Sequence, residues 1–171
     1  MTSQTKTMVK AVVLPLAIAV ASMASPALAA GPRHGPDVSG HHFPTHSAGV
    51  FLGGTDNGES SFTIGLEYEY RISQKIGVGV VVEHSPNAHG GDGTSLAMSV
   101  LHLHPIGGFR FTGGFGFEEI HGSYGKTNTV FRVGTAYEIP LGNFAIIPTV
   151  NLDFVGGQTA TVFGFAFSRH F

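Results

Sequence analysis

From His46 onward, apolar and polar residues alternate with a period of two almost to the end of the chain. Successive side chains on a β-strand point to opposite faces, so this period marks strands with two different surfaces. Residues 61–72 show it most plainly. Phe62, Ile64, Leu66, Tyr68, Tyr70 and Ile72 share one face, and Ser61, Thr63, Gly65, Glu67, Glu69 and Arg71 share the other. No 3.6-residue stripe of an amphipathic helix competes with it here. Turn signals divide the region into eight segments, 46–54, 61–72, 76–85, 94–104, 109–120, 128–139, 143–155 and 159–171. The connections are short (TDNGES, SQK, NAHGGDG, PIGG, HGSYGKT, PLG and GGQ), so consecutive strands pair as hairpins. The prediction is all-β: an eight-stranded antiparallel up-and-down meander that closes into a barrel. Pro148 falls inside the seventh strand without the N–H that a ladder position donates, which predicts a bulge near 147–149.

Which face points inward decides the class of barrel. An apolar interior would have to hold Phe62, Phe109, Phe111, Phe115, Phe117, Phe131, Phe144, Phe154, Phe163, Phe165, Phe167 and Phe171. An eight-stranded barrel has room for little beyond its own lining side chains. The opposite face carries Gly65, Gly77, Gly79, Gly114, Gly116, Gly134, Ala160, Gly164 and Ala166, small residues that suit a crowded lumen. The apolar face is therefore read as lipid-facing, and closure satisfies every backbone group as hydrocarbon demands. With the start of the barrel placed in the periplasm, one end gathers Tyr68, Tyr70, Phe109, Phe111, Tyr137, Phe144 and Phe171. The other gathers Phe62, Phe115, Phe117, Phe131, Phe154 and Phe163. Two aromatic girdles around an aliphatic middle are expected of a transmembrane β-barrel.

The chain begins differently. Lys6 and Lys10 precede a ten-residue apolar run, and small residues follow up to Ala27-Leu28-Ala29. This is the layout of a cleaved secretory signal peptide over residues 1–29; the run is too short for a membrane-spanning helix. Residues 30–45, AGPRHGPDVSGHHFPT, hold one large apolar side chain and read as a flexible His/Gly/Pro-rich tail ahead of a barrel over 46–171. Export with an outward apolar face predicts location in the cell outer membrane, with outer-membrane lipid as the surrounding partner.

Composition narrows the functions. Of 171 residues only 12 % are charged, about half the usual share. There is no cysteine, so neither a disulfide nor a thiolate metal site exists. A formal charge of −2 without a basic run argues against nucleic acid as a partner. Nothing in the sequence calls for a cofactor.

Three features carry candidate chemistry. The lumen phase collects Glu67, Glu69, Arg71, Glu83, Arg110, Glu118, Arg132, Glu138, Asn151 and Asp153. The reading is a polar plug in which arginines bridge carboxylates, because buried charges must pair. With six acids against three arginines, three acids are expected to lack an arginine, which leaves a narrow cation-preferring pore as the alternative. The second feature is His34, His41, His42 and His46, imidazoles that could bring a divalent metal to the tail. His102 and His104 are expected to be interfacial residues near the periplasmic rim. The third is His121-Gly122-Ser123 beside Glu118 and Glu119. It resembles the His-x-Ser pair of outer-membrane lipid A deacylases, which would make His121 a base and Ser123 a nucleophile. It reads more simply as a Gly-rich loop, and the expectation is a protein that is not an enzyme.

A signal peptide, eight amphipathic strands and a terminal Phe171 together resemble the small outer-membrane β-barrels of the OmpA/OmpX transmembrane-domain type. That resemblance implies recognition by the barrel assembly machinery through Phe163, Phe165, Phe167 and Phe171. Arg169 departs from it, standing where an apolar or aromatic residue is usual. Residues 65–71 and 104–110 are also similar to segments of other barrel proteins, a similarity that implies no activity.

Overall fold

The computed structural model describes residues 45–122 and 125–171. The expected signal peptide, nearly all of the tail with His34, His41 and His42, and Ser123 lie outside the described residues. The strands are β1 (His46–Asp56), β2 (Ser60–Arg71), β3 (Ile76–Ser85), β4 (Thr94–Leu103), β5 (Phe109–Ile120), β6 (Lys126–Tyr137), β7 (Ile139–Leu141), β8 (Phe144–Val155) and β9 (Gln158–His170). A single 3-10 turn, His89–Gly91, follows β3. Every pairing is antiparallel; β1 bonds to both β2 and β9, and β6 bonds to β8, so the sheet closes on itself.

β6 and β7 are two parts of one path broken at Glu138. Ala136 faces Thr149 and Ile139 faces Ile146 in one unbroken register. The barrel is therefore eight-stranded. The break lies opposite Pro148, and the expected bulge is absent, because β8 keeps continuous register with β9 through Ile147–Ala166, Pro148–Phe165 and Thr149–Gly164. Losing one donor costs a ladder bond without needing an extra residue. The Thr149 hydroxyl donates to Ile147 O at 3.0 Å, and Glu138 N donates to Gly108 O at 2.7 Å on the other flank.

The two faces part as the alternation predicts. Phe62, Leu66, Phe111, Phe117, Phe131, Val133 and Phe165 are each at least half exposed on the outside. Aromatic rows lie at both ends. Phe109 meets Tyr137 edge-on at 5.0 Å near the end holding the barrel's first and last residues. Phe115 meets Phe117 at 5.7 Å and Phe131 at 5.0 Å near the far end. Arg169 sits outside at the terminal end, with its guanidinium 5.9 Å from the Phe144 ring centroid. That cation–π contact keeps the charge at an aromatic girdle and out of the apolar middle. Among the described residues no helix is long and apolar enough to cross a membrane.

Inside, the walls are more apolar than the sequence pattern suggests. Phe51, Ala136, Ala145, Ile147, Val162 and Ala166 form one buried cluster, and Val81, Leu96, Met98, Val100 and Val130 another. Glycines make room for them. The Phe51 ring lies where a Cβ on Gly53 or Gly164 would stand, at 2.6 and 2.9 Å.

Candidate functional site in the barrel lumen

The lumen phase brings the charged residues of five strands together. Arg132 on β6 is 3 % exposed and makes four short hydrogen bonds. Its Nη1 and Nη2 donate to the Glu83 carboxylate at 2.6 and 2.7 Å, and Nε and Nη2 donate to Asp153 at 2.6 and 2.7 Å. Asp153 is its register partner on β8, whereas Glu83 reaches it across the lumen from β3. The planar guanidinium fork suits this double bidentate grip, which lysine could not supply.

A second network fills the end nearer the termini. Arg71 Nη2 donates to Glu138 at 2.7 Å, and its Nε lies 3.5 Å from Glu69. Arg110 faces Glu67 through two contacts of 3.5 Å and Glu69 at 3.8 Å. His104 Nε2 lies 2.7 Å from Glu69 Oε1, and the Ser168 hydroxyl donates to Glu67 at 3.2 Å. His102 Nδ1 pairs with the Thr112 hydroxyl at 3.0 Å, and His170 Nε2 lies 3.4 Å from Glu138.

These contacts correct two expectations. Each arginine bridges two carboxylates, so of the six lumen acids only Glu118, not three, lacks an arginine partner among the described residues. His102 and His104 are not interfacial; they are 3 % and 9 % exposed and belong to the network. Parity along the strand carries the signal, since both share the phase of Met98 and Val100. It is masked because β4 is apolar on both faces, with Leu101 and Leu103 outside.

The glycines explain how so much charge fits. A Cβ on Gly77 would collide with the Glu69 carboxylate, one on Gly49 with Ser168, and one on Gly134 with Asn151. On Gly65 it would meet Glu83 Cγ at 2.8 Å. Three of these are register partners across the ladder: Gly65 with Glu83, Gly134 with Asn151, and Gly49 with Ser168. A missing side chain on one strand makes the space that the long one beside it occupies.

Among the described residues, two small cavities of about 20 Å³ each, room for about one water molecule, adjoin these charges. One opens toward the far end between Glu118, His89, Thr94 and Asn57; the other lies toward the termini between Phe51, Glu67, His102 and Arg110. Glu83 borders both, and its pair with Arg132 stands between them.

The remaining candidates fall elsewhere. His46 lies outside at the terminal end; its Nδ1 pairs with the Tyr68 hydroxyl at 2.7 Å, and its ring stacks on Phe171 at 5.7 Å. Backbone bonds between His46 and Phe171, at 3.1 and 2.9 Å, close the β1–β9 seam beside that stack. Among the described residues no group of three or more His, Asp or Glu side chains stands in metal-binding arrangement. Phe163, Phe165 and Phe167 are all exposed on the outer face of β9. His121 faces outward at the far end, where its Nε2 lies 2.9 Å from the Ser95 hydroxyl.

This closed barrel, apolar without and ion-paired within, is similar to several solved structures. It matches the crystal structure of Ail, the attachment invasion locus protein of Yersinia pestis, with a TM-score of 0.50 at 10 % identity over 73 % of this chain and 95 % of that one. Ail in a phospholipid bilayer nanodisc matches with a TM-score of 0.50 at 13 % identity, over 73 % and 99 % of the two chains. A de novo designed transmembrane β-barrel matches with a TM-score of 0.50 at 11 % identity, over 74 % and 98 %. The fold is that of the small eight-stranded outer-membrane β-barrels. No protein-family model matches the chain, and no curated protein matches it in sequence.

Proposed function

We propose that this chain is a non-enzymatic outer-membrane β-barrel whose lumen is plugged by its own side chains, with a structural or surface-interaction role. The observation that carries the plug is the Arg132–Glu83–Asp153 group standing between two cavities that each have room for about one water. Export through a signal peptide over residues 1–29 and an outward apolar face support outer-membrane location and contact with its lipid. The exposed aromatic residues of β9, with Phe171 just beyond it, support delivery by the barrel assembly machinery. The likeness to Ail supplies a fold and leaves the role open.

Single-channel recording of the refolded protein in a planar bilayer tests this reading, with insertion verified by heat-modifiable migration on a gel. An inserted barrel without conductance steps agrees with a plug. Discrete cation-favouring steps would replace it with the small pore, whose supporting observation is Glu118, a carboxylate without an arginine at the far mouth. Unchanged lipid A masses on overexpression are the expected outcome for the hydrolase alternative. Metal binding by His34, His41, His42 and His46 is proposed as a separate, weaker activity, and calorimetry of a peptide spanning residues 30–46 with Zn²⁺ tests it.

A further inference from the structure

Outside the lumen, one polar group stands on the lipid-facing surface at the far end. His84 on β3, Ser95 on β4 and Glu119 on β5 lie in one cross-strand row, and His121 follows just beyond β5. The row lies two register steps beyond the Ala97–Phe117 pair, and so just past the girdle that includes Phe117. His84 Nδ1 lies 3.1 Å from Ser95 Oγ, and His121 Nε2 lies 2.9 Å from the same oxygen. The ring centroids are 5.9 Å apart at 56°. His84 is exposed, while Ser95 and His121 are half-buried.

One hydroxyl has one proton, yet two imidazole nitrogens face it. One nitrogen accepts that proton and the other donates its own N–H, so the rings are held in opposite roles around a single point. A divalent transition metal at that point needs only lone pairs and would use both rings in the same role. We propose that His84 and His121 form a binding site for a borderline divalent metal ion of the Zn²⁺, Cu²⁺ or Ni²⁺ class on the outer surface of the barrel. Zinc–imidazole bonds of about 2.0–2.1 Å require the two nitrogens to draw closer around the ion, a side-chain rotation at an exposed position. His84 stands on β3, and the His121 backbone is anchored by its N–H donating to Gly93 O at 2.9 Å, so the site loses little backbone freedom on binding. Water fills the remaining positions. Calcium and magnesium, which prefer all-oxygen ligands, are poorly served by two imidazoles.

The test uses the full chain carrying H34Q/H41Q/H42Q, folded in detergent micelles, so that the tail contributes no imidazole. Cu²⁺ electron paramagnetic resonance reads the ligands, and Zn²⁺ calorimetry reads the affinity. One ion per chain with two nitrogen ligands is expected. H84Q and H121Q should each weaken binding at least about tenfold, S95A should leave it nearly unchanged, and H89Q serves as the control. Heat-modifiable migration shows that each variant is folded. Absence of uptake at millimolar metal, or uptake that survives H84Q/H121Q, overturns the proposal.

Discussion

Replacing Arg132 by methionine keeps the length of the side chain and removes the guanidinium that grips Glu83 and Asp153. Both carboxylates are buried, at 6 % exposure each, and all four of their bonds to Arg132 are 2.6–2.7 Å. Gross bond energies overstate the loss, because the folded protein has already given up the hydration of three charges. The usable figure is the cost of breaking a buried pair by removing one partner, about 3–5 kcal/mol. With a urea slope of about 2 kcal/mol/M, a loss of about 4 kcal/mol moves the unfolding midpoint down by about 2 M. The assay is equilibrium unfolding in lipid vesicles, read by the heat-modifiable gel shift. R132M/E83Q/D153N should recover most of the loss, because no uncompensated charge remains. E118Q, at the one lumen acid without an arginine partner among the described residues, should shift the midpoint by less than about 0.5 M. If R132M unfolds within that same margin of the parent, the group is not holding the lumen together and the reasoning fails.

Two further outcomes follow from the packing. G77V should cost about 1–3 kcal/mol, since its side chain would take the place of the Glu69 carboxylate and strip His104 of its partner, whereas G113V, with open space around it, should be neutral; equal midpoints would refute the glycine argument. F171A removes the ring stacked on His46 at the closing seam and should slow the appearance of the heat-modifiable form during assembly in cells, an outcome that an unchanged rate would exclude.

The strands and their faces were legible because period two is imposed by backbone geometry alone. Observed strand ends fall within about two residues of the alternation's own limits, and Glu69, Glu83, Arg110, Arg132 and Asp153, all on the polar parity, are buried. Parity fails where both faces carry similar residues. On β4, Leu96, Met98 and Val100 line the lumen while Leu101 and Leu103 face outward, so His102 and His104 had no polar contrast to place them. Pairing also escapes a count of charges. Six acids and three arginines leave a surplus on paper, yet a guanidinium with five donors bridges two carboxylates, and which two depends on register across strands distant in sequence. Pro148 marks a lost donor, but whether the chain answers with a bulge or a gap is decided by its neighbours: continuous register with β9 holds β8 straight.

The complementary placement of glycine and long polar side chains has a consequence for how this barrel can change over time. Gly65 beside Glu83, Gly134 beside Asn151 and Gly77 beneath Glu69 behave as locks and keys on facing strands. Enlarging the lock alone produces a collision, and trimming the key alone strands a charge or opens a void. Lumen substitutions should therefore arise in compensated couples, while the lipid-facing side exchanges one greasy residue for another with little penalty. Lineages sharing this architecture would drift apart quickly in their outer coats, and the slow clock of their history would be kept by the interior couples.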